Sequence, residues 1–387
     1  MHVAPFQQEL ARQGLDGWLV ADFRGSNPLL IDLSGVRGML TRRAVLWIPR
    51  DGEPILWGST VDSHSLAAVG CQTQLYVGLT ALQDGLRRTI AGCRAVAMEY
   101  TAEGANPVIS RVDAGFVEWV RGQGVEVVSS GELIGLLVRW DAGQAADHLA
   151  AAQVVDRVRA AAFREALGRA GTSRPATEHE LAGFILAEFR AAGLVGGGVD
   201  VAVNEHAADP HYAASAGHPR LIRPGDTLLI DLWARMPGER SPFADSTWMG
   251  YAGPTPPSDL VRAFTAVKEA RDAGLALLET AWRDGQVLRG RAVDRHVRES
   301  LDACGYGQAF THRTGHSLGW HHIHGDGPNL DDFEFPDDRL LTPVTGVTVE
   351  PGVYLPGAMG LRLEVSVLLT DSGPKVTTGR QTELELW

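Results

Sequence analysis

Four acids and one histidine between residues 231 and 364 stand where a metal could be held. Asp231 ends the apolar run Thr227-Leu228-Leu229-Ile230, and Asp245 sits in Phe243-Ala244-Asp245-Ser246-Thr247. His316 lies in the Gly-flanked loop Thr314-Gly315-His316-Ser317. Glu350 follows Val347-Thr348-Val349 and precedes Pro351-Gly352, while Glu364 is embedded in Leu361-Arg362-Leu363-Glu364-Val365. A single aspartate at a strand end is usually a turn cap, but an acid inside an apolar run is costly to bury without a partner. Four carboxylates held together repel one another and bind protons, whereas two divalent cations bring the summed charge near zero. Oxygen-rich ligation favours manganese, cobalt or zinc over copper. Two such ions, about 3.5 to 4 Å apart, can hold a hydroxide and polarise a carbonyl. The chemistry expected of such a set is hydrolysis.

The elements that must position these residues are legible in outline. Phe6 to Arg12 reads as a helix closed by Gly14, and Gly17 to Ala21 as a strand. Ala44 to Ile48 and Pro54 to Trp57 flank Asp51-Gly52, which signals a hairpin. Strands are expected at Ala95–Met98 and Val125–Ser129, with a helix over Gly115–Arg121 between them, so an α/β unit closes near residue 138. Gln144 to Ala170 has helical spacing and is long enough to bridge two domains. Thr177-Glu178-His179-Glu180 is a capping box opening a helix to about Ala192, ended by the Gly-rich Gly193–Gly198. Two further helices are expected over Leu260–Trp282 and Arg291–Cys304, before the β-rich end that carries the glutamates. Helices enclosing a mainly antiparallel sheet make an α+β domain. The expected domains are 1–140, a smaller α/β domain, and 144–387, the catalytic one.

Composition narrows the partners. At 387 residues, two domains are expected. With 44% apolar and 21% charged residues, the chain has the balance of a folded soluble protein. A formal net charge of -12 argues against nucleic acid or an anionic membrane as the main partner, because both repel that sign. No apolar run approaches the roughly 20 residues of a membrane span, and Met1 to Pro5 does not begin like a signal peptide. A cytoplasmic location is expected. Cys71, Cys93 and Cys304 lack CxxC spacing and are expected to be buried, inert thiols.

The order and contexts of the five ligands resemble the pita-bread metallopeptidases: prolidase, aminopeptidase P and methionine aminopeptidase. The features that carry the resemblance are Asp231, Asp245 with Thr247, Thr314-Gly315-His316, Glu350-Pro351-Gly352, and Arg362 with Glu364. It covers roughly residues 145 to 387, and the preceding residues look like the N-terminal domain of prolidases and aminopeptidase P. The resemblance implies a pita-bread catalytic domain and a homodimer. It also implies that His211, in Pro210-His211-Tyr212, contacts substrate or the developing negative charge. Such enzymes carry a second histidine, usually seven residues after the metal histidine. Here position 323 is Ile, and histidines stand at 321, 322 and 324; His324 is the first choice and His322 the second. Two further departures are a lengthened Met236–Pro242 hairpin between the aspartates and Phe243 where a tyrosine commonly precedes the second one.

The expected reaction is hydrolysis of the bond before proline in small proline-containing peptides. Glu350 serves as ligand and proton acceptor, His211 stabilises the oxyanion, and Glu350 or His324 returns the proton. A dipeptidase must hold the free carboxylate of proline, best with an arginine. Arg362 is the candidate by position, with Arg37, Arg42 and Arg43 in a loop-like N-terminal stretch as others. Xaa-Pro dipeptidase is preferred over aminopeptidase P, and manganese over cobalt or zinc. Creatinase-like and non-enzymatic relatives of this fold lack most of the five ligands, and all five are present here.

Overall fold

The computed structural model describes residues 2–386, which divide into the units Met1–Leu137 and Val138–Trp387. In the first unit the chain runs through α1 (Ala4–Gln13), β1 (Gly17–Phe23), α2 (Pro28–Ser34), β2 (Arg43–Pro49), β3 (Ile55–Ser59), α3 (Ser63–Leu66), β4 (Gln72–Tyr76), α4 (Gly78–Thr89), β5 (Ala95–Met98), α5 (Ala114–Arg121), β6 (Glu126–Ser129) and α6 (Gly131–Leu137). Gly52, at φ +106°, makes the turn that lets β2 and β3 pair antiparallel. The sheet has the order β4-β3-β2-β1-β5-β6. Its β1–β5, β5–β6 and β3–β4 pairs are parallel, so it is the mixed α/β sheet expected. Leu19, Val45 and Val96 on the sheet pack with Leu86 of α4 and Val120 of α5, each side chain removed from water.

The second unit begins with two long helices, α7 (Ala142–Ala170) and α8 (Glu178–Ala191). Both open on capping boxes, Asp141 with Gln144 and Thr177 with Glu180. Then follow β7 (Val195–Val203), β8 (Thr227–Arg235), β9 (Ala244–Tyr251), α9 (Ser258–Arg283), α10 (Gly290–Ala303), β10 (Thr345–Val349), β11 (Gly352–Leu355), β12 (Met359–Arg362), β13 (Val365–Thr370), β14 (Gly373–Val376) and β15 (Glu385–Leu386). Instead of one sheet there are three among the described residues: β15-β9-β8-β7, β10-β13-β14 and the hairpin β11-β12. All their pairings are antiparallel except β15 with β9.

Strand alternation explains how one sheet serves both core and site. Ile230 and Leu232 of β8 face a core shared with Val155, Ala162 and Phe163 of α7 and Ile185 of α8. Leu229 of β8 and Met249 of β9 face the other way, into the core formed with α9, α10 and the C-terminal strands. Asp231 and Asp245 share that second face.

Three expectations need correction. The Gly-rich segment does not merely end α8, because β7 runs through Gly196–Gly198; glycine disfavours strands, and pairing with β8 overrides that preference. Glu364 lies at the junction of β12 and β13 rather than inside a strand. Cys71 and Cys93 are only half-buried and Cys304 is exposed, at the end of α10. Among the described residues, no helix is long and apolar enough to cross a membrane.

Candidate metal centre

Antiparallel register brings the two aspartates together. Asp231 stands opposite Thr247 and Asp245 opposite Trp233, so both carboxylates leave the β8–β9 ladder on one face, two residues out of step. The lengthened turn between them lies beyond the paired residues and leaves this register intact. The C-terminal strands supply the rest. Ser317 bridges to Val347, the His316 N–H donates to Thr348 Oγ1 at 2.9 Å, and the Thr348 N–H donates to the His316 carbonyl at 2.9 Å. A Cβ at position 315 would lie 2.0 Å from the Thr348 carbonyl oxygen, so the approach of loop to strand requires glycine there. The Glu364 N–H donates to the Thr247 carbonyl at 3.1 Å, joining the second glutamate to β9.

The five candidate ligands meet. One atom from each of Asp245, His316 and Glu364 lies within 4.8 Å of the others. His316 Nε2 is 3.5 Å from both Asp245 Oδ2 and Glu350 Oε1. Asp231 is bonded to Arg362 Nη2, and Arg362 Nε is 3.9 Å from Glu350 Oε2. His316 Nδ1 lies 3.0 Å from the Ser317 carbonyl and donates its proton there, which leaves the Nε2 lone pair facing the acids.

Two threonines settle the outer oxygens. Thr247 Oγ1 donates to Glu364 Oε2 at 2.7 Å, and Thr348 Oγ1 donates to Glu350 Oε1 at 2.9 Å. Asp231 Oδ1, Asp245 Oδ1 and Glu364 Oε1 are buried with no hydrogen-bond partner among the described residues. Such oxygens are rare and costly in a folded protein. Burial first, and then the charge of Asp231, pushes the Asp245 carboxyl well above its usual range. Burial, followed by Asp245, Glu350 and Asp231, does the same to Glu364. Glu350 is raised by burial against the opposing pull of His316 and Arg362, and burial lowers His316 towards the neutral ligand form. Unpaired oxygens, like charges and a free imidazole lone pair in one cluster suit divalent cations held by Asp231, Asp245, His316, Glu350 and Glu364.

Beside the cluster lies a cavity of about 350 Å³ whose wall includes His211, His312, Arg313, His324, Glu334, Glu350 and Arg362. His321, His322 and His324 are all exposed, but only His324 lines the cavity, its ring 4.3 Å from that of His316; His321 and His322 are not among the lining residues. His211 sits on an exposed turn. That turn is tied down by Glu178, whose buried carboxylate accepts from Tyr212 Oη at 2.8 Å, His206 Nδ1 at 3.0 Å and the Val203 N–H at 2.7 Å. Arg37 is exposed in the first unit, and Arg43 there pairs with Asp113 at 2.8 Å.

Arg362 is occupied by protein groups. Besides Asp231, it donates to Thr247 Oγ1, the Pro210 carbonyl and Tyr354 Oη, each at 3.2 Å. Burial disfavours its charge, but Tyr354, Asp231, Glu350 and Glu364 outweigh that and raise its pKa well above the usual value. Tyr354 Oη in turn donates to His312 Nε2 at 2.7 Å. Sequence reasoning passed over Thr348, Tyr354 and Glu178. Thr348 was two residues before Glu350, hence on the same side of the chain, and that spacing could have flagged it. Asp200, opposite Asp231 on β7, was also missed; burial and the neighbouring Asp231 raise its carboxyl to about 6.

Known proteins resemble this chain in both sequence and fold. A probable dipeptidase PepE of Mycobacterium tuberculosis is 32% identical over 181 residues, 45% of this chain and 42% of the relative. An Xaa-Pro dipeptidase of Pyrococcus furiosus is 28% identical over 184 residues, 48% of each chain. The matched stretch thus spans about half the length of these curated relatives. The crystal structure of dipeptidase PepE from Mycobacterium ulcerans superposes with a TM-score of 0.75 at 23% identity, covering 98% of this chain and 95% of that one. The fold is therefore the pita-bread fold with its N-terminal α/β companion. The sequence model of metallopeptidase family M24 matches residues 146–371, the stretch that supplies all five candidate ligands, and the chain belongs to that family.

Proposed function

We propose that the protein hydrolyses the peptide bond preceding proline, with Xaa-Pro dipeptides as the preferred substrates. The observation that carries this reading is the group of three carboxylate oxygens, without a partner among the described residues, converging with His316, which calls for cations rather than for more protein. Divalent ions bound there supply Lewis acidity towards the scissile carbonyl and a hydroxide near neutral pH. Asp231, Asp245, His316, Glu350 and Glu364 hold them, with manganese as the ion we favour.

The chain's own groups do the rest. Arg362, engaged by Asp231, Thr247, Tyr354 and the Pro210 carbonyl, is assigned a positioning role instead of contact with substrate. Glu350, fixed by the Thr348 hydroxyl, takes the proton of the attacking water and returns it to the departing nitrogen. That nitrogen is a tertiary amide in an Xaa-Pro bond and has no hydrogen of its own. His324, in the cavity wall beside His316, is the second candidate for that proton delivery, and His211 faces the same cavity to meet the developing oxyanion. His322, exposed and not among the residues lining the cavity, is left without a role in this scheme.

Activity after manganese loading should vanish with a chelator and return on resupply, and Glu350→Gln should abolish turnover. A Glu350→Gln variant at near-parental rate refutes the assignment. Comparing Ala-Pro with Ala-Pro-Ala separates a dipeptidase from aminopeptidase P, which cleaves the longer peptide. We extend the same reading to a homodimer in the cytoplasm; light scattering tests the assembly.

A further inference from the structure

We propose that Arg313 reads the C-terminal carboxylate of the bound peptide and that Glu334 holds this arginine in place while competing for it. The proposal rests on the peptidase reading above and names how that site recognises a dipeptide. Two arginines line the cavity, Arg313 and Arg362. Arg362 is 5% exposed, and its nitrogens are taken by Asp231, Thr247, Tyr354 and the Pro210 carbonyl. A substrate carboxylate would have to displace a metal ligand to reach it.

Arg313 is placed differently. Its Nη1 stands 3.6 Å from Glu334 Oε2, beyond good hydrogen-bonding distance, and its side chain remains 17% exposed. It lines the same cavity as Glu350, His324 and Arg362, beside the candidate ligands.

Glu334 is built into the wall. Its Oε1 accepts the Arg313 N–H at 3.1 Å. Its own turn is wound around Asp331, whose carboxylate accepts the N–H groups of Phe333 and Glu334 at 2.9 Å and of Phe335 at 3.1 Å. The guanidinium is thus steered by an anchored carboxylate that does not saturate it. A peptide carboxylate entering this cavity meets Glu350 and Glu334 as repelling groups, and Arg313 is the cation left to receive it.

The readout is discrimination between a dipeptide and its C-terminal amide. For the manganese-loaded parent, kcat/KM for Ala-Pro should exceed that for Ala-Pro-amide by about tenfold or more, the usual size of a charge-assisted contact. In Arg313→Leu that ratio should fall towards one, chiefly through KM, and Arg313→Lys should restore part of it. In Glu334→Gln the ratio should rise, because the competing charge is gone; a purely structural pair would not give opposite signs. Manganese binding by Arg313→Leu, followed by calorimetry, checks that the centre still loads. A ratio unchanged in a metal-competent Arg313→Leu overturns the proposal, as does a parent without discrimination. Calorimetric binding of L-proline against L-prolinamide reads the same preference without turnover. A parent that prefers proline yet hydrolyses nothing refutes the activity proposed above and leaves the Arg313 assignment standing.

Discussion

Replacing one acid of the centre by its neutral amide should stabilise the metal-free protein. Glu364 is 1% exposed, its Oε2 accepts from Thr247, and its Oε1 has no partner among the described residues. Glu364→Gln keeps the acceptor for Thr247 and puts an amide donor where Oε1 stood, within reach of the cluster containing the unpaired Asp245 Oδ1. The amide escapes the cost that burial and neighbouring acids impose on ionising or protonating Glu364, and with one added hydrogen bond this amounts to about 2 kcal/mol. For a unit of this size that corresponds to a rise of roughly 4 to 8 °C in Tm. Manganese reverses the order. At about 100 times its Kd, a bound ion stabilises by about 2.7 kcal/mol per site, and Glu364→Gln, short of one ligand, should lose most of that gain. Thermal unfolding of parent and variant, each with chelator and with manganese, gives the four values required. A variant less stable than the parent in chelator, or one with the full manganese shift, refutes the reasoning.

Acid should weaken the second unit through His148. This fully buried imidazole lies 2.8 Å from the Phe243 carbonyl and 2.7 Å from Thr377 Oγ1, and burial lowers its pKa to about 4. Between its unfolded value near 6.5 and 4, the unfolded chain takes up a proton that the folded one refuses, so stability is full above that window and falls as pH drops through it. From pH 7.5 to 5.0 the loss from this residue is about 2 kcal/mol. His148→Asn, which retains a donor for Phe243, should show a pH slope in urea denaturation smaller by that amount; an identical slope refutes the assignment. Gly360→Ala should damage the turn that carries His211. Its Cβ would lie 1.7 Å from the carbonyl oxygen of Ala207, in the 3-10 helix Asn204–Ala208 that leads into that turn, so this backbone must move. The expected result is a destabilisation of about 1 to 3 kcal/mol with a raised KM, and unaltered kinetics and Tm would contradict it.

Local signals read well from the sequence. The hairpin at Asp51-Gly52, the capping boxes at the starts of α7 and α8, and the helices α9 and α10 obey rules that act within a few residues. β7 escaped because its glycines carry no strand signal, and only the partner strand β8 makes them extended.

The identities of five metal-binding candidates, and hydrolysis as their chemistry, were determined by the sequence, because acids set in apolar runs point to a buried charge that needs a partner. Their meeting was decided by the fold. The β8–β9 register aligns the aspartates, and the Ser317–Val347 bridge delivers His316 to Glu350. Tertiary structure also gave the two cavity arginines different partners. Arg362 follows Leu361 and precedes Glu364, which suggested contact with substrate; the fold adds long-range bonds to Asp231, Thr247 and the Pro210 carbonyl, on which the proposed positioning role rests. Arg313 carried no signal of its own, and its place in the cavity depends on Glu334, twenty-one residues away. Residue type and local pattern reveal which groups are costly to bury, but only packing decides which neighbour meets that cost and which group remains open to a ligand.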